Sequence, residues 1–265
     1  MFLLYINDLP NISNKLKFYL FADDTNLFFE CGDIDILEST VNFELRKLIL
    51  WLNCNCLALN VSKTNFVIFS AINKPLRNVT ILLGKQAIAQ KDHVKYLGVL
   101  IDSKLTFKNH ISVINKKISR TIGLMSKPSY YLNQKTLTMI YYGLIYPYLT
   151  YGVTIWGNAN DIFIDPLFIY QKKAVRIITN NNTRNINFMY PLSAPLFNSL
   201  NILTIFDIFK LELLKFVFDC LRKINPVQFH SFFNYNNNNI NTANVREFKL
   251  NLPQVRTTTY GLKSI

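Results

Sequence analysis

Polar and apolar positions follow two different rhythms along this chain. Near the start, Leu16, Phe18, Tyr19 and Leu20 precede a polar Asp23-Asp24-Thr25-Asn26 segment, and Leu27, Phe28 and Phe29 follow it. Two apolar runs across so short a polar stretch predict a tight β-hairpin with Phe21-Ala22-Asp23-Asp24 at its tip. Next, Ile34, Leu37, Val41, Leu45, Leu48 and Leu52 recur in steps of three and four, opened by Asp33, Asp35 and Glu38. That is one face of an amphipathic helix with acids at its N-terminus. A strand is expected at Asn65–Ser70, a hairpin of Val79–Leu83 and Gln86–Ala89 turned by Gly84-Lys85, and a further apolar strand at Val94–Ile101. Residues 1–103 therefore read as α+β with a mostly antiparallel sheet and a helix.

Beyond Asp102 the period becomes helical. Ile111, Ile114, Ile118, Ile122 and Met125 form one stripe, and further helices are expected at 133–146, 161–180 and 200–223. Residues 104–225 thus read as an all-α region. The stretch from Thr136 to Asn160 is uncharged over 25 residues, long enough to span a bilayer. Its five tyrosines, its threonines, Gly143, Gly152 and Pro147 favour a buried helix broken at Pro147 instead. Residues 226–265 hold the Asn236–Asn239 run and one or two weak strands around Phe248–Leu252.

Composition sharpens this picture. Half of the 265 residues are apolar, which excludes wholesale disorder. Net charge is +13, unevenly placed: residues 1–60 hold 4 Lys/Arg against 8 Asp/Glu, and the remainder holds 25 against 8. An acidic corner beside a basic remainder suits an enzyme that handles polyphosphates, and a simply basic protein fits as well. Cys31, Cys54, Cys56 and Cys220 match neither a disulfide framework nor a paired zinc motif, and read as reduced thiols of an intracellular protein. His93, His110 and His230 are scattered and read as structural. The N-terminus lacks the basic segment of a signal peptide.

The candidate chemistry begins with Asp23 and Asp24. Adjacent carboxylates repel, and hard oxygen ligands of this kind suit Mg2+ or Mn2+. Taken alone, they are equally a hairpin turn with two solvated aspartates. Lys108, Lys116, Lys117, Arg120 and Lys127 fall on or near the surface left by the Ile111–Met125 stripe, with no acid between Lys104 and Lys127. Lys172, Lys173 and Arg176 gather within about a turn of the 161–180 helix. Such clusters form solvated faces or bind anions, and the shortage of acidic partners favours the second.

Several segments together resemble the reverse transcriptases of non-LTR (LINE-type, Jockey-like) retrotransposons. Phe2-Leu3-Leu4-Tyr5-Ile6-Asn7-Asp8-Leu9-Pro10 is similar to the segment after that family's Gly-rich motif, and Phe21-Ala22-Asp23-Asp24-Thr25 to its second catalytic motif. Trp51-Leu52-Asn53, Leu57-Ala58-Leu59-Asn60 and Lys63-Thr64 resemble the next, lysine-bearing motif. Tyr96-Leu97-Gly98-Val99 with Ile101-Asp102 resembles the primer-grip hairpin. Ile145-Tyr146-Pro147-Tyr148-Leu149-Thr150-Tyr151-Gly152, Trp156-Gly157, Gln171-Lys172-Lys173-Ala174 and Arg176 are similar to the helical region downstream. The order holds from residue 2 to about residue 180.

The resemblance implies a partial right-hand polymerase: residues 1–103 as the C-terminal half of a palm, 104–225 as a thumb. It implies that Asp23 is the main metal ligand with Asp24 in support, and that Lys63 stands near the leaving pyrophosphate. Tyr96, Leu97 and Gly98 would hold the primer terminus. Lys108, Lys116, Lys117, Arg120, Lys172, Lys173 and Arg176 would track the backbone of an RNA–DNA duplex. By residue alone, Lys63 is also a surface lysine, Gly98 a strand bulge and Tyr96 a core residue. The implied partners are an RNA template, a DNA primer and a dNTP, with no membrane, and the implied cofactor is Mg2+ or Mn2+ in the complete enzyme. The family's first aspartate lies upstream of its Gly-rich motif, so the expectation is a reverse transcriptase fragment that extends no primer by itself. The alternatives are a non-catalytic RNA/DNA-binding remnant and an inert one that does not fold stably.

Overall fold

A computed structural model describes residues 2–70, 78–180 and 193–230. The chain divides into two compact units, residues 1–105 and 106–265. Unit 1 begins with a short helix α1 (Phe2–Tyr5) and a 3-10 turn at Leu9–Ile12. The hairpin β1 (Lys17–Phe21) and β2 (Asp24–Phe28) follows, then the long helix α2 (Ile34–Cys54). The Asp33 carboxylate starts α2 by accepting from the Asp35 and Ile36 amides, a cap worth about 1 kcal/mol. Leu45 and Leu48 are buried, and Ile34, Leu37, Val41 and Leu52 pack half-buried against the same cluster. The cluster also takes Leu9, Val79, Ile81 and Leu83, together with Phe18, Leu20 and Leu27 from the inner face of the hairpin. The helical stripe read from the sequence is thus the face that carries the hairpin.

The remaining strands of unit 1 are short: β3 (Asn65–Phe66), β4 (Leu82–Leu83), β5 (Gln86–Ala87), β6 (Ala89–Gln90), β7 (His93–Tyr96) and β8 (Val99–Asp102). They form separate two-stranded sheets, with β1–β2, β4–β5 and β7–β8 antiparallel and β3–β6 parallel. The mixed helix-and-strand character holds, but one sheet does not form among the described residues. The strand expected at Asn65–Ser70 shortens to two residues, because its far end leaves the ladder: the Ser70 amide donates to Ser103 O, and Lys104 Nζ reaches Ser70 Oγ at 2.9 Å. The single strand expected at Val94–Ile101 is instead a hairpin. Leu97 and Gly98 both have positive φ, +43° and +86°, the geometry of a two-residue turn whose twist matches the paired strands.

Unit 2 is helical: α3 (Lys108–Ser126), α4 (Gln134–Leu144), α5 (Tyr146–Thr150), α6 (Val153–Trp156), α7 (Asp161–Ile178), α8 (Ala194–Leu200) and α9 (Ile205–Leu221). All five stripe residues of α3 are buried, in one cluster with Leu137, Tyr141, Leu149, Trp156, Leu167 and Ile205. The uncharged stretch Thr136–Asn160 becomes α4, α5 and α6. Its break comes at Ile145, ahead of Pro147. Proline lacks the N–H that a continuous helix needs and is tolerated in a first turn, where the structure puts it. Among the described residues, no helix is long and apolar enough to cross a membrane.

The helix expected at 200–223 starts later. Asn201 turns left-handed (φ +50°) after α8, and Thr204 caps α9. Thr204 Oγ1 accepts from the Asp207 amide at 3.2 Å, capping the helix, and donates to Asp207 Oδ2 at 2.6 Å. One buried side chain joins three segments of this unit. Gln171 Nε2 donates to Tyr141 Oη and to Leu203 O, each at 2.8 Å, and Gln171 Oε1 accepts from the Ile205 amide at 2.9 Å. The asparagine run and the strands expected around Phe248–Leu252 lie outside the described residues.

Candidate functional site

The register of the first hairpin pairs Phe21 with Asp24, leaving Ala22 and Asp23 as a two-residue turn. The tip thus falls on the expected Phe21–Asp24 tetrapeptide, while Thr25 and Asn26, read as the rest of the polar turn, belong with Asp24 to β2. Ala22 takes the left-handed conformation at φ +52°, which costs a residue with a Cβ about 1 kcal/mol. Asp23 consequently stands at the apex and Asp24 at the first strand position. Both are exposed.

The root of the hairpin is held by buried polar groups. Ser13 Oγ accepts from the Lys15 and Leu16 amides at 3.2 and 3.1 Å, just before β1. Ser13 also hydrogen-bonds Glu44, whose carboxylate is buried on α2 and takes Lys47 Nζ at 2.9 and 3.0 Å. Burial raises the Glu44 pKa, but the hydrogen bonds from Lys47 and Ser13 and the charges of Lys47 and Lys15 outweigh it, so the carboxyl lies below its ordinary range. Farther along, Trp51 Nε1 donates to Asp8 Oδ2 at 3.2 Å and Tyr5 Oη to Asn55 O at 2.5 Å. The opening segment is thereby tied to the end of α2, and Asp8 serves as a structural acceptor.

Tyr96 comes beside this hairpin through aromatic contacts. The rings of Tyr19 and Phe28 meet edge-on at 5.3 Å, and those of Phe28 and Tyr96 at 6.2 Å. Phe28 is four residues from Asp24 along β2, about 13 Å at strand rise. The Tyr96-Leu97-Gly98 turn thus adjoins the base of the hairpin, away from its acidic tip. Lys63 is exposed in a turn that Asn60 closes, its amide donating to Asn60 O at 3.2 Å. Among the described residues, no ion pair joins Lys63 to either aspartate. Nor do three acidic, histidine or cysteine side chains gather there in a metal-binding group. The carboxylates of Asp23 and Asp24 are oxygen donors of the kind that suits a hard cation, and two of them would leave the rest of its coordination to water, substrate or other protein groups.

In unit 2, Lys108 opens α3, and it, Lys116, Lys117 and Arg120 are exposed. Lys117 Nζ lies 4.9 Å from the centre of the Tyr148 ring. On α7, which packs against α3, Lys172 Nζ lies 4.2 Å from the Phe168 ring and Lys173 Nζ 5.4 Å from that of Tyr170. Aromatic faces thus hold several of these cations in place. Lys172 and Arg176 are half-buried and Lys173 is exposed. His110 is buried edge-on to Trp156 at 5.7 Å, and burial, then Lys117, lowers its pKa. The acid-free run is also longer than the Lys104–Lys127 segment. Residues 103–160 hold seven Lys/Arg and no Asp or Glu. Sequence reasoning missed the Gln171 junction and the Ser13–Glu44–Lys47 anchor, because a polar residue carries no mark of burial in the sequence.

The polypeptide is 29% identical over 188 residues, 68% of its length, to the "Probable RNA-directed DNA polymerase from transposon X-element" of Drosophila melanogaster. The chain is a relative of non-LTR retrotransposon RNA-directed DNA polymerases. The "RNA-directed DNA polymerase from mobile element jockey" of the same organism is 27% identical to it over 162 residues, 60% of this chain. The "Probable RNA-directed DNA polymerase from transposon BS", again of Drosophila melanogaster, is 27% identical over 168 residues, also 60% of this chain. The chain spans about a fifth of the length of these polymerases: 20%, 18% and 18%. No family model matches it, and no solved structure does.

Proposed function

We propose that this chain forms part of an RNA-directed DNA polymerase: unit 1 the half of the palm that carries the acidic hairpin, and the helices of unit 2 its thumb. The observation that carries this reading is the β1–β2 hairpin with Asp23 and Asp24 exposed at its tip, in a chain related to such polymerases. Asp23 and Asp24 hold the cation side of the site, and their oxygens place negative charge at the primer end. Bound Mg2+ or Mn2+ would activate the primer 3′ hydroxyl and neutralise the phosphates of the incoming dNTP. Lys63 presents an ammonium to the leaving pyrophosphate, where it stabilises charge or donates a proton. The Tyr96-Leu97-Gly98 turn supports the primer terminus, and Gly98, at φ +86°, lets the backbone approach closely. Lys108, Lys116, Lys117, Arg120, Lys172, Lys173 and Arg176 contact sugar-phosphate backbone without reading sequence.

Two carboxylates are a thin ligand set for an ion that prefers near-octahedral coordination. The purified 265-residue polypeptide is therefore expected to bind an RNA–DNA hybrid and to extend no primer on an RNA template. Binding should weaken steeply with salt. Replacing Lys116, Lys117 and Arg120 by Ala should lower the slope of log K against log salt by about two to three. Binding indifferent to salt would contradict the polymerase reading for unit 2. A second reading, a binder without catalysis, is favoured by the acid-free run at 103–160. It predicts the same binding, but no contribution of Asp23 to catalysis when this segment is placed in an active polymerase.

A further inference from the structure

We propose that Tyr130 and Tyr131, with the groove whose lining begins at Asn133, form a stacking platform for unpaired RNA. This rests on the nucleic-acid reading of unit 2 and adds the class of strand that one part of it takes. The two tyrosines are adjacent, and they are 84% and 90% exposed. A phenol ring left open to water gives up the stabilisation that burial would bring, and neither ring belongs to the core of unit 2.

Their backbone, by contrast, is firmly set. Residues Pro128–Tyr130 form a 3-10 turn, and Pro128 O accepts from the Tyr131 and Leu132 amides at 2.9 and 3.0 Å. Ser129 Oγ donates to Ser126 O at the end of α3, and Asn133 Oδ1 caps α4 by accepting from the Thr136 amide, each at 2.8 Å. The rings thus stand out from a corner fixed at both ends.

What surrounds them fits phosphates and bases. Lys127 and Lys135 flank the pair in sequence, both exposed, inside the run from 103 to 160 that has no acid. A shallow groove of about 760 Å³ begins two residues past Tyr131 along the chain, lined by Asn133 and, among others, Gln134, Lys135, Thr138, Met139, Tyr142 and Ser199. Met139 and Tyr142 are 67% and 41% exposed and offer flat apolar contact. Gln134, Thr138 and Ser199 offer hydrogen-bond groups for base edges and a ribose 2′ hydroxyl. A duplex conceals the base faces that projecting rings would stack on, so the occupant is unpaired. Every charged residue of the 103–160 run is positive, which matches a polyanion. The hydroxyl and amide lining, and relatives named for copying RNA, select RNA over DNA.

The test uses the full chain and three fluorescent probes: a short oligouridylate, the matching oligodeoxythymidylate and an RNA–DNA hybrid of equal length. Tyr130→Ala with Tyr131→Ala should weaken oligouridylate binding about tenfold or more and leave hybrid affinity and the circular-dichroism melt unchanged. Lys127→Ala with Lys135→Ala should lower the salt slope for oligouridylate by about one to two. Unchanged oligouridylate affinity in the tyrosine variant would overturn the proposal, as would an equal loss on the hybrid. Oligodeoxythymidylate bound as tightly, with the same tyrosine dependence, would overturn the choice of RNA. If the hybrid binds and oligouridylate does not, this proposal fails while the polymerase reading stands, and the corner is left to a protein partner. Failure of hybrid binding itself would instead remove the reading on which the proposal rests.

Discussion

Replacing Gln171 by Met keeps the side chain's length and removes all of its hydrogen-bonding groups. The amide it removes is fully buried and serves three partners at 2.8–2.9 Å: Tyr141 Oη, Leu203 O and the Ile205 amide. Two of these partners are backbone groups. An unsatisfied buried polar group costs about 1–3 kcal/mol, so Gln171→Met should destabilise unit 2 by about 3–5 kcal/mol after partial relaxation. At a urea slope of about 2 kcal/mol/M, the midpoint falls by about 2 M. Each unit holds one tryptophan, Trp51 or Trp156, so urea unfolding followed in a Trp51→Phe background reports unit 2 alone. Tyr141→Phe removes one partner and should cost about 1 kcal/mol. In the Gln171→Met background it should cost less, because the bond is already gone, giving a coupling of about 1 kcal/mol. A Gln171→Met shift under about 0.5 kcal/mol, or simple additivity with Tyr141→Phe, would refute the junction.

Two further substitutions probe the packing of unit 2 and the root of the acidic hairpin. A Cβ at Gly157 would lie 2.5 Å from Phe209 Cδ2 and 2.6 Å from Val153 O. Gly157→Ala should therefore cost about 1–3 kcal/mol, read as a lowered melting temperature of unit 2; an unchanged melt would mean that α6 and α9 pack more loosely than described. Glu44 titrates lower in the folded protein than its ordinary value. Its contribution is present above about pH 4.3 and is lost as pH falls further, through the folded value. Trp51 fluorescence in a Trp156→Phe background should show wild type losing more urea resistance between pH 6 and pH 3.5 than Glu44→Gln does. Parallel pH profiles would contradict the Ser13–Glu44–Lys47 anchor.

The parts of the fold legible in the sequence are those where one face of an element is buried and the other is not. The stripes Ile34–Leu52 and Ile111–Met125 predicted α2 and α3 because helical spacing maps directly onto packing. Alternation fails where a chain reverses without changing composition. Val94–Ile101 reads as a continuous strand, and only Gly98 marks the turn within it. The hairpin tip at Phe21–Asp24 was legible, but not the left-handed conformation of Ala22, since alanine is not a residue that signals one. For the site, Asp23 and Asp24 were legible as adjacent acids between apolar runs. Gln171 was not, because its partners lie 30 to 34 residues away, and Tyr130 and Tyr131 resemble core residues until their exposure is known.

The account depends on Asp23 and Asp24 seating the divalent ion at the primer end. The direct measurement is primer extension on an RNA template by a chimera in which this chain replaces the corresponding fifth of the jockey polymerase. Extension by that chimera, reduced at least a hundredfold by Asp23→Asn while hybrid affinity stays unchanged, is the expected result. Undiminished extension by the Asp23→Asn chimera would contradict the account.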